Sequence, residues 1–156
     1  NGFGEECITA IESIKILKKE KFNLKAQNIQ NLITKNFKNL KNNNNDIKMK
    51  LKGCGAIQKI YFKLDEMTKS KVSKILSQKN NKNIKKFEKR IFEIAIIDTL
   101  YREFNIFAFH SLNSLVVSPS LIIKNNQINY VFKSLNKILK KGPENIVRSY
   151  IKNLKN

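Results

Sequence analysis

The stretch "IKMKLKGCGAIQKIYFKL", residues 47–64, decides the fold. Its first half alternates strictly, with Ile47, Met49 and Leu51 on one side and Lys48, Lys50 and Lys52 on the other. A period of two is the repeat of an extended strand with one buried and one wet face. Gly53-Cys54-Gly55 then interrupts the pattern. The run from Ala56 to Leu64, rich in β-branched and aromatic residues, reads as a neighbouring strand.

The glycines around Cys54 admit three readings: a phosphate cradle, a reactive thiol or a bend. A dinucleotide fingerprint needs G-x-G-x-x-G between a strand and a helix. Residues 53–58 run Gly-Cys-Gly-Ala-Ile-Gln, so the third glycine is missing, and a strand follows. A nucleophilic Cys54 needs a nearby base and a depressed pKa. The single histidine, His110, is not placed beside it by anything in the sequence. The bend is the reading that stands, and Cys54 is taken as an unreactive thiol.

Working outward, residues 6–22 and 24–41 show apolar positions at steps of three and four, the signature of amphipathic helices. Asn42–Asn45 break the second of these. Residues 65–83 read as a short lysine-rich helix followed by a loop, and 84–104 as a helix apolar on most sides and therefore buried. Residues 105–110 and 114–118 read as short strands, the second ended by Pro119. A helix over 125–141 stops at Gly142-Pro143, where Pro143 starts a last one. The expectation is an α+β domain, a small, mainly antiparallel sheet of three to four strands covered by helices. The order is α-α-β-β-α-β-β-α with a C-terminal helical tail. Residues 1–141 form the domain, with 1–22 a lead-in helix, and 142–156 a basic helical tail.

At 156 residues the chain is long enough for one domain with a real core. It begins with Asn1, which reads as the start of a fragment, a processed chain or an excised domain. No apolar run approaches the ~20 residues of a membrane helix, and the acidic, glycine-rich start is not a secretory signal. Two cysteines and one histidine complete neither a disulfide framework nor a zinc site, so no metal site is expected. Reduced thiols in a cytoplasmic protein is the corresponding expectation.

The net charge of +19 comes from 31 basic residues, of which only Arg90, Arg102 and Arg148 are arginine. Nucleic-acid binders concentrate arginine for its phosphate- and guanine-gripping fork. Lys, Asn and Ile abound here and Trp is absent, a composition that A/T-rich codons produce. The lysine-rich 65–83 segment has no interleaved aromatics and so lacks a stacking platform. A basic nucleic-acid- or protein-binding module is therefore the second reading, not the first. Asp98 in the apolar helix needs a partner, and Arg102 one turn on supplies an i,i+4 ion pair. No self-contained catalytic constellation emerges.

Three strings in their order resemble a family. "FGEECITAIESIKIL" resembles the F-G-G-E-x-L-S-x-A segment of class III (fold-type I) pyridoxal-phosphate aminotransferases, with Phe3, Gly4, Glu6, Ile8 and Thr9 on its positions. "KLKGCGAIQKIYF" is similar to the family's R-G-x-G-L-x-x-x-I-x-F strand pair, with Lys52 in the Arg position. "SLVVSPSLIIKNNQINYVFKSLNKIL" is similar to the closing V-x-P-x-L-x-I segment and last helix. Together they span nearly residues 1–141, and the likeness is nearest the glutamate-1-semialdehyde aminomutase branch.

The resemblance implies the C-terminal small domain of such an enzyme. That domain closes over substrate and supports a homodimer, while the large catalytic domain holds the cofactor and the catalytic lysine. Pyridoxal phosphate is then bound by the intact protein and not by this chain alone, which carries no catalytic residue of its own. The resemblance places His110 and Ser118 at the substrate mouth. It places Gly2 and Phe3 near the phosphate of the partner subunit's cofactor. Two positions depart from the pattern: Gly2 stands where many members have Thr, and Val116 where ornithine-type enzymes have a carboxylate-binding Arg. A degenerate, non-catalytic descendant is the alternative those departures imply.

Overall fold

The computed structural model describes residues 4–77, 90–111 and 113–154. Helices α1 (Gly4–Lys19) and α2 (Phe22–Asn42) meet at a corner where Lys21 takes φ 49°. The Lys25 ammonium, 2.7 Å from the Glu20 carboxylate, spans that corner. The first helix therefore ends earlier than its apolar spacing suggests, because the left-handed residue turns the chain.

Strands β1 (Lys48–Cys54) and β2 (Ile57–Lys63) form a hairpin. Helices α3 (Glu66–Ser77) and α4 (Ile91–Phe104) follow, then β3 (Phe109–His110), β4 (Ser114–Val117), α5 (Asn125–Leu139) and α6 (Pro143–Asn153). The sheet runs β1-β2-β4-β3 with every neighbouring pair antiparallel. This is the expected α+β architecture. Of the helix read over 84–104, only the part from Ile91 lies among the described residues as α4.

One face of the sheet is buried; the other is open over β1 and β2, while Ser114 and Val116 of β4 are buried on it too. Met49, Ile60, Phe62 and Leu115 enter the core, where Phe62 meets the edge of Phe92 at a centroid distance of 5.6 Å. The helices supply the rest of it. In α5, Ile128, Phe132, Leu135 and Leu139 recur at steps of four, three and four and are all buried. Ile146, Val147 and Ile151 of α6 join the same cluster. Gly142, with φ 77°, and Pro143 in the first turn start α6 as their residue types suggest.

The segment read as a strand over 105–110 is shorter in the structure. Asn105 takes φ 54° and closes α4, its N–H reaching the Tyr101 carbonyl while that of Ile106 reaches Leu100. Only Phe109 and His110 remain to pair with β4. Arg102 does pair with Asp98, Nε to Oδ1 at 2.8 Å.

Asparagines fasten α2 to α5. The Asn36 amide donates to Asn129 Oδ1 at 2.9 Å and to the Leu32 carbonyl at 3.0 Å. Asn44, only 3% exposed, donates to Asn136 Oδ1 and to the Leu40 carbonyl, both at 2.8 Å. A buried amide is tolerable only when bonded in this way. Among the described residues no helix is long and apolar enough to cross a membrane.

The hairpin turn depends on its glycines. Cys54 pairs with Ile57, leaving Gly55-Ala56 as a two-residue loop with φ 55° at Gly55. Gly53 has φ 148°, and a Cβ there would strike the Ile57 carbonyl oxygen and stand 2.7 Å from Gln58 Cα. At Gly55 an added Cβ meets nothing closer than Ala26 Cβ at 3.5 Å. Gly55→Ala should therefore cost only the left-handed penalty of about 1–2 kcal/mol. Gly53→Ala should cost more, because backbone atoms must move. Denaturant midpoints of the two variants check this order.

Candidate functional site

The Gly53-Cys54-Gly55 bend is held by two glutamines. The Gly55 N–H donates to Gln30 Oε1 of α2 at 2.6 Å, and Gln58 Nε2 donates to the Gly55 carbonyl at 3.0 Å. The loop amide that a phosphate cradle would offer is thus already bonded to a side chain. Cys54 is free and exposed. By register it pairs with Ile57 at one end of the hairpin, on the edge strand β1. His110 lies on β3, the opposite edge of the sheet. The fold keeps this thiol and the imidazole apart.

His110 and Ser118 do not converge. His110 pairs with Leu115, whose side chain lies in the core, so the imidazole is on the helix-covered face. It is half-buried, and its Nδ1 has no hydrogen-bond partner among the described residues. Ser118 is exposed just beyond β4. With Phe109 opposite Val116, Ser118 lies at the level of residue 107. That is three residues, about 10 Å, from His110 along the strand. Gly2 and Phe3 lie outside the described residues.

A cleft of about 700 Å³ opens between the end of β2, α3 and the start of α4. Phe62 and Phe92 form part of its wall, with Lys63, Lys69, Glu93 and Asn113 around it. Lys69 is engaged by Glu66 at 2.6 Å. Glu93 is buried, at 5% exposure. Burial pushes its carboxyl above the usual glutamate range, opposed more weakly by its own backbone amide and by Arg90. Across the helices, burial also raises the Tyr150 hydroxyl, with the Asp98 charge adding to the effect. Among the described residues, no three His, Cys, Asp or Glu side chains gather as a metal would require.

The open face of the sheet is the other notable surface. It carries Lys48, Lys50 and Lys52 from β1 and Lys59, Tyr61 and Lys63 from β2. Val116 of β4 is buried on it outside the main core, beside the half-exposed Phe109. The Lys52 ammonium sits 5.6 Å from the Tyr61 ring centroid, and Lys59 Nζ bonds Ser111 Oγ at 3.2 Å. Sequence reasoning found the lysine alternation but not Gln30, Gln58 or Ser111. Of these only Gln58 left a trace, as a polar residue in phase with Ile60 and Phe62.

No protein-family model matches the chain, and no curated protein matches it in sequence. Solved structures do match it in fold. One, described as a transaminase with L-ala, has a TM-score of 0.54 and 13% identity. It covers 93% of this chain, which spans 28% of that one. A second, described as a substituted transaminase with SMBA, gives the same TM-score and identity, covering 94% of this chain and 29% of its own. The fold is thus aminotransferase-like, and the chain has under a third of the length of these structures.

Glu93 gives a pH test. A carboxyl whose folded pKa is raised binds protons more tightly folded than unfolded. Its contribution is fully present below the unfolded value and is lost as pH rises through the folded one. Glu93→Gln removes that loss, so the stability of the variant relative to wild type should rise between pH 4 and pH 7. Chemical denaturation at both pH values measures it, and a variant that loses stability relative to wild type on raising the pH would contradict the assignment.

Proposed function

We propose that this chain is the C-terminal small-domain part of a pyridoxal-phosphate aminotransferase or aminomutase. Within those enzymes we place it in class III, nearest the glutamate-1-semialdehyde aminomutase branch. The observation that carries the reading is the transaminase match, which takes in over nine-tenths of this chain and under a third of the matched structures. A second observation supports it from the other side. Helix α1 has no buried residue, and Ile8, Ile11, Ile14, Ile16 and Leu17 stand exposed along it, joined by Phe22 and Leu24 past the corner. Contiguous apolar surface of this kind marks an interaction site. In this proposal the large catalytic domain covers it.

In this reading the cofactor is not assigned to His110, Ser118 or the Gly55 loop. His110 faces the helices, Ser118 faces solvent, and the loop amide of Gly55 is taken by Gln30. The cofactor and the lysine that reacts with it belong to the rest of the protein, and pyridoxal phosphate supplies the electron sink there. The role assigned to this chain is to close over the substrate, excluding water, and to support a homodimer. Ser118 and His110 stand as two separate points of the substrate mouth. Gly2 and Phe3 are assigned to the neighbourhood of the cofactor phosphate of the partner subunit. The domain is taken as residues 1–141, entered through the 1–22 helix, with 142–156 as its helical end, and the protein as cytoplasmic.

The test uses the polypeptide that contains this chain together with the catalytic part. With pyridoxal phosphate it should show visible cofactor absorbance and pass an amino group from an amine donor to a carbonyl acceptor. In the same protein the α1 amides should exchange slowly with deuterium. In the 156-residue chain alone they should exchange fast, since a lone 16-residue helix is marginal in water. Absence of both cofactor absorbance and transfer would sink the enzymatic reading. Equal exchange in the two forms would sink the docking of α1.

A further inference from the structure

The hairpin register creates an electrostatic conflict. It sets Lys52 directly opposite Lys59 and Lys48 opposite Lys63, all on the open face of the sheet. Like charges directly opposed across two strands destabilise the pair. Nothing on the strands offsets them, because the four strands contain no Asp or Glu. The ion pairs among the described residues all lie elsewhere, on the helices and their ends.

The two lysine pairs differ. Lys48 and Lys63 are both exposed at the far end of the hairpin, where solvent screens them. Lys59 is half-buried on a central strand. Its ammonium donates to a neutral hydroxyl, Ser111 Oγ at 3.2 Å, while Lys52 turns toward the Tyr61 ring. The two ammonium groups thus point to different neighbours, leaving the space between β1 and β4 cationic. Beside Lys59 stand Val116, its register partner on β4, and Phe109 beyond it. Val116 is itself buried, so the accessible apolar surface here is the half-exposed Phe109 ring.

We propose that this surface is a binding site for a phosphate monoester. Its dianionic oxygens would lie between Lys52 and Lys59 and accept the Ser111 O–H, and its organic part would rest on the exposed Phe109 ring. Two ammonium groups match a dianion, and compact lysine charges bind phosphate without the bidentate geometry of arginine. The inference rests on the register and not on the aminotransferase reading, so either can fail alone.

The experiment is a titration of the isotope-labelled 156-residue chain with phenyl phosphate, followed by backbone NMR at constant ionic strength with sodium chloride as the balancing salt. Saturable shifts should centre on Lys52, Lys59 and Ser111. Lys59→Gln and Lys52→Gln should each weaken binding at least about fivefold, and Lys63→Gln by less than about twofold. Phenyl phosphate should bind more tightly than inorganic phosphate, and wild type but not Lys59→Gln should gain thermal stability from it. Shifts that never saturate, or that Lys59→Gln leaves intact, would overturn the site. Equal binding of the two phosphates would overturn the assignment to an ester. Should Lys59→Gln fail to fold, Lys52→Gln, at an exposed edge position, decides the same question.

Discussion

The register of the β1–β2 hairpin is the constraint on which the rest depends. A slip of one residue would carry every side chain of a strand to the opposite face. Met49 and Leu51 would leave the core, and the lysines between them would enter it. The register is fixed at the turn, where Gly53 accepts a backbone approach closed to any other residue. Gly55 supplies the left-handed loop position. Gln30 and Gln58 then clamp the loop through the N–H and carbonyl of Gly55. Once β2 is set, β4 pairs along it and β3 along β4, so one local turn orients the whole sheet.

The helical layer is fastened by a different chemistry. Apolar stripes bury α2, α4, α5 and α6 against one another and against the sheet. Apolar contact is non-directional, so it does not by itself fix how far α2 slides along α5. The Asn36–Asn129 and Asn44–Asn136 pairs do that, at two points two helical turns apart on α5, with Asn36 on α2 and Asn44 just past its end. A residue type that codon composition makes abundant has here been placed at the two positions where its geometry matters. Helix α1 stands outside this arrangement, with its isoleucines facing solvent.

Much of this was legible in the sequence. Period two over 47–52 and the three-four spacing over 125–139 reported burial faithfully, because each strand or helix buries only one side. The Asp98–Arg102 pair followed from i,i+4 spacing alone. Boundaries set by a single backbone angle were not legible. Lys21 and Asn105 take left-handed φ values that no periodicity encodes. Long-range polar contacts were also hidden: the tetrad at 42–45 read as a polar stop, yet Asn44 is buried. The candidate site was less legible than the fold. His110 and Ser118 are near in sequence, but strand alternation and register separate them. The Lys52–Lys59 opposition exists only once the turn length is known.

The central claim is that the Gly53–Gly55 turn sets a single register and thereby sorts apolar residues to the core and lysines to the open face. Cross-strand proton contacts in a nuclear Overhauser spectrum of the chain measure that register directly. The account predicts backbone contacts that pair Met49 with Phe62, Leu51 with Ile60 and Lys52 with Lys59. Contacts displaced by one residue, pairing Lys52 with Gln58 or Ile60, would contradict it.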